Sequence, residues 1–156
     1  MFEVSVMSGM RLTRHYLAGM LAKNWGRILF ISSESAIQVP AEMIDYGMTK
    51  AAQLALSRGL AERTRRTGIT VNCILPGPTR TESLDAFVWG RARELGIPDD
   101  QVEKDFFATA RPTSLIGRFE TPEEVANLIV YTASERASAT TGCSLRVDGG
   151  MVRSII

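Results

Sequence analysis

The sequence predicts an α/β fold in which helices flank a three-stranded, mainly parallel sheet. Three observations predict it. Helical and strand-like segments alternate along the chain, the order expected of a parallel sheet with crossover helices. The strand-like segments are short and nearly continuous in apolar residues, as in strands covered on both faces. Glycine and proline close most of the segments.

Residues 2 to 24 carry Phe2, Val6, Met10, Leu17 and Leu21 at helical spacing, and Gly26 follows as a stop signal, so an amphipathic helix is expected there. Arg27 to Ile31 is the first strand, and Ser32 to Pro40 is a loop. From about Met43 to Thr67 the chain is rich in Ala, Leu and Met, and Gly68 supplies the stop of a long helix. Ile69 to Leu75 has strand composition and is ended by Pro76-Gly77-Pro78, which cannot continue a ladder. Residues 79 to 117 hold two weaker helical patterns, about 82 to 95 and 99 to 110, parted by Gly96-Ile97-Pro98. They show no strong periodic core face, so this segment is expected to form a lid over a substrate site. Its aromatic residues Phe87, Trp89, Phe106 and Phe107 are candidates for either substrate contact or core.

Thr121-Pro122-Glu123-Glu124 combines a capping hydroxyl, proline at the first helical position and glutamate three residues after the cap, which starts a helix running to about Ser134. Cys143 to Val147 is the third strand, closed by Asp148-Gly149-Gly150. Residues 1–156 contain no repeat and no low-complexity linker, and form a single domain. Ligands of open parallel sheets bind beyond the carboxyl ends of the strands, so chemistry is to be sought after Ile31, Leu75 and Val147.

Composition narrows the function. The chain is 45% hydrophobic and 22% charged with a formal net charge of +1, which suits one globular core and argues against a dedicated nucleic-acid binder. The cluster Arg63, Arg65 and Arg66 suits the last turn of a helix. Cys73 and Cys143 lie in apolar runs and His15 is the single histidine, so reduced thiols are expected rather than a disulfide framework or a zinc site. No apolar run approaches the roughly 20 residues that span a bilayer, and the expectation is a cytoplasmic protein with no membrane partner.

Tyr46-Gly47-Met48-Thr49-Lys50 sets a phenol and an ammonium one helical turn apart on the same face. An unperturbed tyrosine titrates near pH 10, but a cation about 5 Å away at an effective dielectric near 20 favours the phenolate by roughly 3 kcal/mol, about two pKa units. Taken alone, such a pair is common as exposed neighbours. Ile31-Ser32-Ser33 changes this, because Ser33 stands at the end of the first strand, thirteen positions before Tyr46.

Here the sequence resembles the short-chain dehydrogenase/reductase family, whose active serine precedes its tyrosine by that spacing. The resemblance continues in Gly26-Arg27-Ile28, in Asn72 with Pro76-Gly77, in Arg118 with Thr121-Pro122-Glu123-Glu124-Val125-Ala126, and in Thr141-Gly142 with Val147-Asp148-Gly149-Gly150, so it spans almost the whole chain. It implies a Rossmann-like sheet and hydride transfer between NAD or NADP and an alcohol or carbonyl substrate. It also implies that Tyr46 is the general acid/base, that Ser33 stabilises charge on the substrate oxygen, and that Lys50 binds the nicotinamide ribose and lowers the Tyr46 pKa. The turn Pro76-Gly77-Pro78-Thr79-Arg80-Thr81 would hold the carboxamide through backbone groups and Thr81, whereas Ser32 is a strand-end hydroxyl that satisfies backbone.

Two departures stand out. Where the family carries asparagine in a context like Phe-Glu-Val-Asn-Val, supporting a water in the proton relay, this chain has Ser5. Serine is shorter, and Ser5 serves either that water or the helix backbone. Nothing resembles the family's Thr-Gly-x-x-x-Gly-x-Gly loop or its Asn-Asn-Ala-Gly strand, so the chain is expected to be the carboxy-terminal part of such a fold, lacking the amino-terminal half, and inactive alone. The first strand would then have an unpaired edge, and a homo-oligomer is expected; one half of a split enzyme, or a non-catalytic remnant that acts by association, is the alternative.

Overall fold

The computed structural model describes residues 1–155. Strand β1 (Gly26–Ile31) runs parallel to β2 (Ile69–Pro76), in a register that pairs Gly26 with Ile69 and Ile31 with Ile74. Strand β3 (Ser144–Val147) runs parallel on the other side of β2, pairing Cys73 with Ser144 and Pro76 with Val147. The order is β1-β2-β3. The predicted α/β sheet of three parallel strands is therefore present, and β2 is buried from Ile69 to Leu75 because it is the central strand. Asn72 lies in the middle of that strand with no exposure, and both ends of its amide are bonded: it donates to the Thr140 carbonyl at 2.7 Å and accepts the Cys143 N–H at 3.1 Å. A polar residue is tolerated there because it ties down the loop leading into β3.

The expected first helix is a π-helical turn, Glu3–Met7, followed by α1 (Ser8–Lys23). Its apolar stripe is only partly used by this sheet. Val6 is 5% exposed, but Phe2, Met10 and Leu21 are more than 40% exposed. Helix α2 (Ile44–Arg63) lies across the sheet, and Leu54, Leu56 and Leu60 pack with Leu17 and Met20 of α1 against Phe30, Val71, Cys73 and Leu75.

Helices α3 (Glu82–Leu95) and α4 (Asp99–Thr109) occupy the expected lid. The expectation that this segment lacks a core face is corrected: Val88, Ala92, Val102 and Phe107 enclose a second core together with Phe119 and Met151. Periodicity within each helix is weak because part of this core, Phe119 and Met151, is supplied from elsewhere in the chain. Phe106, Phe107 and Phe119 stack with ring centroids 5.1 to 5.2 Å apart, whereas Trp89 is exposed. Helix α5 (Pro122–Ala133) begins with the predicted capping box, in which Thr121 Oγ1 accepts the Glu124 N–H and Glu124 accepts the Thr121 N–H. Among the described residues no helix is long and apolar enough to cross a membrane.

Candidate active site

The strands end together, and beyond their carboxyl ends opens a cleft of about 740 Å³. Ser33, Tyr46, Lys50, Pro76, Gly77, Pro78, Thr79 and Thr81 all line it. So do Glu34, Phe87, Phe106 and Arg111.

After β1 the ladder extends one step, with the Ser32 N–H donating to the Ile74 carbonyl at 2.8 Å, and the Ser32 hydroxyl donates to the Lys50 carbonyl at 2.9 Å. Ser32 thus serves backbone, and Ser33 is left to cap the short 3-10 turn Glu34–Ala36. Its Oγ accepts the Ser35 N–H at 3.2 Å, and its hydroxyl donates to the Glu34 carboxylate. Helix α2 comes close to this turn at Gly47, where a Cβ would lie 2.9 Å from the Ser35 carbonyl oxygen and 2.7 Å from Val39. The missing side chain lets Tyr46 and Ser33 share one wall of the cleft.

Tyr46 and Lys50 lie on one face of α2, with the ammonium 5.5 Å from the centre of the phenol ring. Lys50 spends a donor on the Ile31 carbonyl at 3.0 Å, at the end of β1. The expected lowering of the Tyr46 pKa does not occur in this arrangement. Burial pushes the half-buried phenol up, the Ser33 hydroxyl pulls it down by less, and the Glu34 carboxylate adds to the rise. Burial likewise pushes the Lys50 ammonium down, opposed by Cys73. Burial in β2 pushes the Cys73 thiol, near Ser32 and Lys50, up to about 11, which leaves it un-ionised at neutral pH.

Facing them is the turn after β2. Gly77 donates its N–H to the Val147 carbonyl at 2.9 Å, Thr79 Oγ1 donates to the Gly77 carbonyl at 3.0 Å, and Thr81 caps α3 by accepting the Leu84 N–H at 3.4 Å. Arg80 binds Asp85 of α3 at 2.6 Å and Glu103 of α4 at 2.9 Å, so both lid helices are anchored to the turn.

Ser5 is not brought to the cleft. It lies in the π-helical turn, where its carbonyl accepts the Gln53 side-chain amide at 2.6 Å. Conversely, the cleft contains a charged pair that sequence motifs do not point to. Arg111, at the end of the lid, reaches Glu42 at 3.1 Å, and its buried Nε lies 3.8 Å from the Glu34 carboxylate, within ion-pair range but with no hydrogen bond made. Their only sequence signal is a carboxylate next to Ser33 and an arginine before Pro112.

The profile of the family described as enoyl-(acyl carrier protein) reductase matches residues 1–152. The chain belongs to the short-chain dehydrogenase/reductase family. An oxidoreductase of Bacillus subtilis named YvrD is 52% identical over 154 residues, covering 99% of this chain and 59% of the relative. Dehydrogenase/reductase SDR family member 6 of Danio rerio is 37% identical over 150 residues, covering 95% of this chain and 57% of the relative. The crystal structure of L-sorbose reductase from Gluconobacter frateurii, a complex with NADPH and L-sorbose, superposes with a TM-score of 0.89 at 33% identity, over 99% of this chain and 57% of that one. This short-chain dehydrogenase/reductase chain therefore spans somewhat under three fifths of the length of the relatives it matches.

Proposed function

We propose that this chain carries the catalytic side chains and the nicotinamide-binding turn of an NAD(P)-dependent oxidoreductase acting on an alcohol or carbonyl group. One observation carries the proposal: Ser33, Tyr46 and Lys50 share a single cleft with the turn Pro76–Thr81 at the carboxyl ends of three parallel strands. The nicotinamide end of the cofactor fits what lines that cleft. Pro76, Gly77, Pro78, Thr79 and Thr81 offer backbone groups and hydroxyls for the carboxamide, and Tyr46 and Lys50 offer donors for the ribose. The volume lies within the roughly 300–1,000 Å³ usual for small-molecule sites. The sequence holds no Thr-Gly-x-x-x-Gly-x-Gly loop to cradle the phosphates.

When bound, the nicotinamide supplies or takes up the hydride. Tyr46 delivers the proton to the substrate oxygen in reduction; its phenol is protonated at neutral pH, and the burial that raises its pKa makes it a weaker acid. Ser33 turns its hydroxyl from Glu34 to the same oxygen and stabilises the developing charge. Lys50 holds the ribose and adds positive potential. Leu84, Phe87 and Phe106 with the Glu34–Arg111 pair form the substrate side, an apolar wall with polar anchors that suits a hydroxylated carbonyl compound such as the ketose in the sorbose reductase complex.

A second reading has its own observation. The outer edge of β1 pairs with no strand among the described residues, so the chain either works with a second polypeptide that completes the sheet or acts by association alone. Both readings are tested by following NADPH oxidation with a ketose, for this chain alone and with the amino-terminal segment of the YvrD oxidoreductase added in trans. Turnover that falls at least about 100-fold in Tyr46→Phe is the expected outcome, the scale of losing a general acid. Equal rates in the two chains would remove Tyr46 from the mechanism, and absence of turnover in either mixture would favour association.

A further inference from the structure

Beneath the turn that follows β2, one carboxyl group is buried with half of its hydrogen-bonding capacity unspent. Glu120 is 3% exposed, and its Oε1 has no partner. Its Oε2 lies 3.2 Å from the Gly77 nitrogen and accepts a share of the N–H that Val147 also accepts. The backbone of Glu120 is tied to the same turn twice more, its N–H donating to the Pro78 carbonyl at 3.0 Å and its carbonyl accepting the Arg80 N–H at 2.7 Å. The fit is tight. A Cβ on Gly77 would stand 2.6 Å from Glu120 Oε1 and 3.1 Å from both Cα and O of Asp148, so the turn rests directly on the carboxyl group only because residue 77 is glycine.

The charges around Glu120 are mostly of its own sign. Asp148 follows β3, Glu124 belongs to α5 and Glu34 follows β1, and all three oppose its ionisation. The neighbouring cations are engaged elsewhere: Arg118 grips Glu124 with two bonds, and Arg80 grips Asp85 and Glu103. Glu103 also accepts the Phe119 N–H at 2.8 Å, which fixes the chain just before Glu120. Burial is the largest influence, and together with these carboxylates it pushes the Glu120 pKa up to about 7, with the Gly77 N–H as the opposing contact.

We infer that Glu120 is a positioning residue for the Pro76–Thr81 turn, its carboxyl group competing with the Val147 carbonyl for the single Gly77 N–H. A neutral carboxyl group is a weak acceptor and leaves the N–H to Val147, whereas a carboxylate is a strong acceptor and draws it down. The turn thus has two arrangements, and one buried proton selects between them. The consequence for cofactor binding rests on the nicotinamide reading proposed above; the coupling between Glu120 and Gly77 does not.

The test uses the full chain without cofactor. Its Glu120 carboxyl carbon and Gly77 amide are followed by NMR between about pH 5 and pH 9, a range that brackets a carboxyl group raised to near neutrality. Both signals are expected to move with one shared midpoint near 7. The Gly77 transition is lost in Glu120→Gln, which keeps the shape and both backbone bonds. A carboxyl midpoint near the ordinary 4.5, or a Gly77 amide that does not follow the carboxyl group, overturns the inference. NADPH titrations at pH 6 and pH 8 then separate the two claims. An affinity that changes with pH in the parent and not in Glu120→Gln supports both, and an affinity indifferent to pH while Gly77 does follow Glu120 overturns only the nicotinamide reading.

Discussion

Glu120 and Glu124 stand four residues apart, and their surroundings drive them in opposite directions. Burial lifts Glu120 to about 7, while the Arg118 guanidinium and the Thr121 N–H hold Glu124 at about 2. An acid whose pKa is raised by folding binds its proton more tightly in the folded state, so the stability it contributes is present below the unfolded value near 4.5 and is lost as pH rises towards 7. Glu124 behaves in the reverse sense: its contribution is present above 4.5 and is lost as pH falls towards 2. Urea midpoints measured across this range are therefore expected to decline less between 4.5 and 7 in Glu120→Gln, and to decline less below 4.5 in Glu124→Gln. A Glu120→Gln profile parallel to the parent would mean that this carboxyl group is ionised in the folded protein. The resemblance to the family pointed to Ser33, Tyr46 and Lys50, and all three line one cleft. The direction of the Tyr46 shift was not legible in the sequence, since spacing reveals neither the Lys50 bond to Ile31 nor the water that the phenol loses. Glu34, Arg111 and Glu120 escaped for the same reason, because burial of a charged residue is a tertiary property.

At the scale of elements, the approach of α2 to the Ser33–Ala36 turn hinges on Gly47. In Gly47→Val the added side chain meets the Ser35 carbonyl oxygen, a backbone atom, so the helix and the turn must move apart. Thermal or urea unfolding should show a loss of about 1–3 kcal/mol, the usual cost of overpacking. Tyr46 should also move away from Ser33, read as a downfield or upfield change in the Ser33 and Ser35 amide resonances. Unchanged stability together with unchanged resonances would mean that α2 does not need this close contact. Boundaries of elements were legible where capping chemistry is local: α3 begins after Thr81 and ends at Gly96, and α5 begins at Pro122. The strand β2 ran one residue further than expected, because Pro76 lacks an N–H but still takes its place opposite Val147. What the sequence concealed was the core between α3 and α4, since Phe119 and Met151 complete it from distant positions. The apolar stripe of α1 was legible as a stripe, yet its partner was not.

That stripe and the sheet edge beside it bear on the whole molecule. Strand β1 is paired along one edge by β2 and, among the described residues, along the other by nothing. Next to the free edge, Leu12, Tyr16 and Met20 of α1 and Ile28 and Phe30 of β1 line an apolar groove of about 220 Å³, in which Leu12 and Tyr16 are more than half exposed. Unpaired N–H and C=O groups beside exposed apolar side chains recruit another chain, because pairing satisfies the backbone while burial removes the side chains from water. The chain alone is thus expected to elute from size exclusion at micromolar concentration with a light-scattering mass of two or more copies. Leu12→Glu combined with Tyr16→Glu places charges on the groove without touching the core, and is expected to return the mass to that of one chain. A parent chain that is monomeric from the start would show that the edge and the groove do not recruit another copy. An assembly that survives both substitutions would instead place the contact on the exposed face of α2, where Ile44 and Met48 lie in the open.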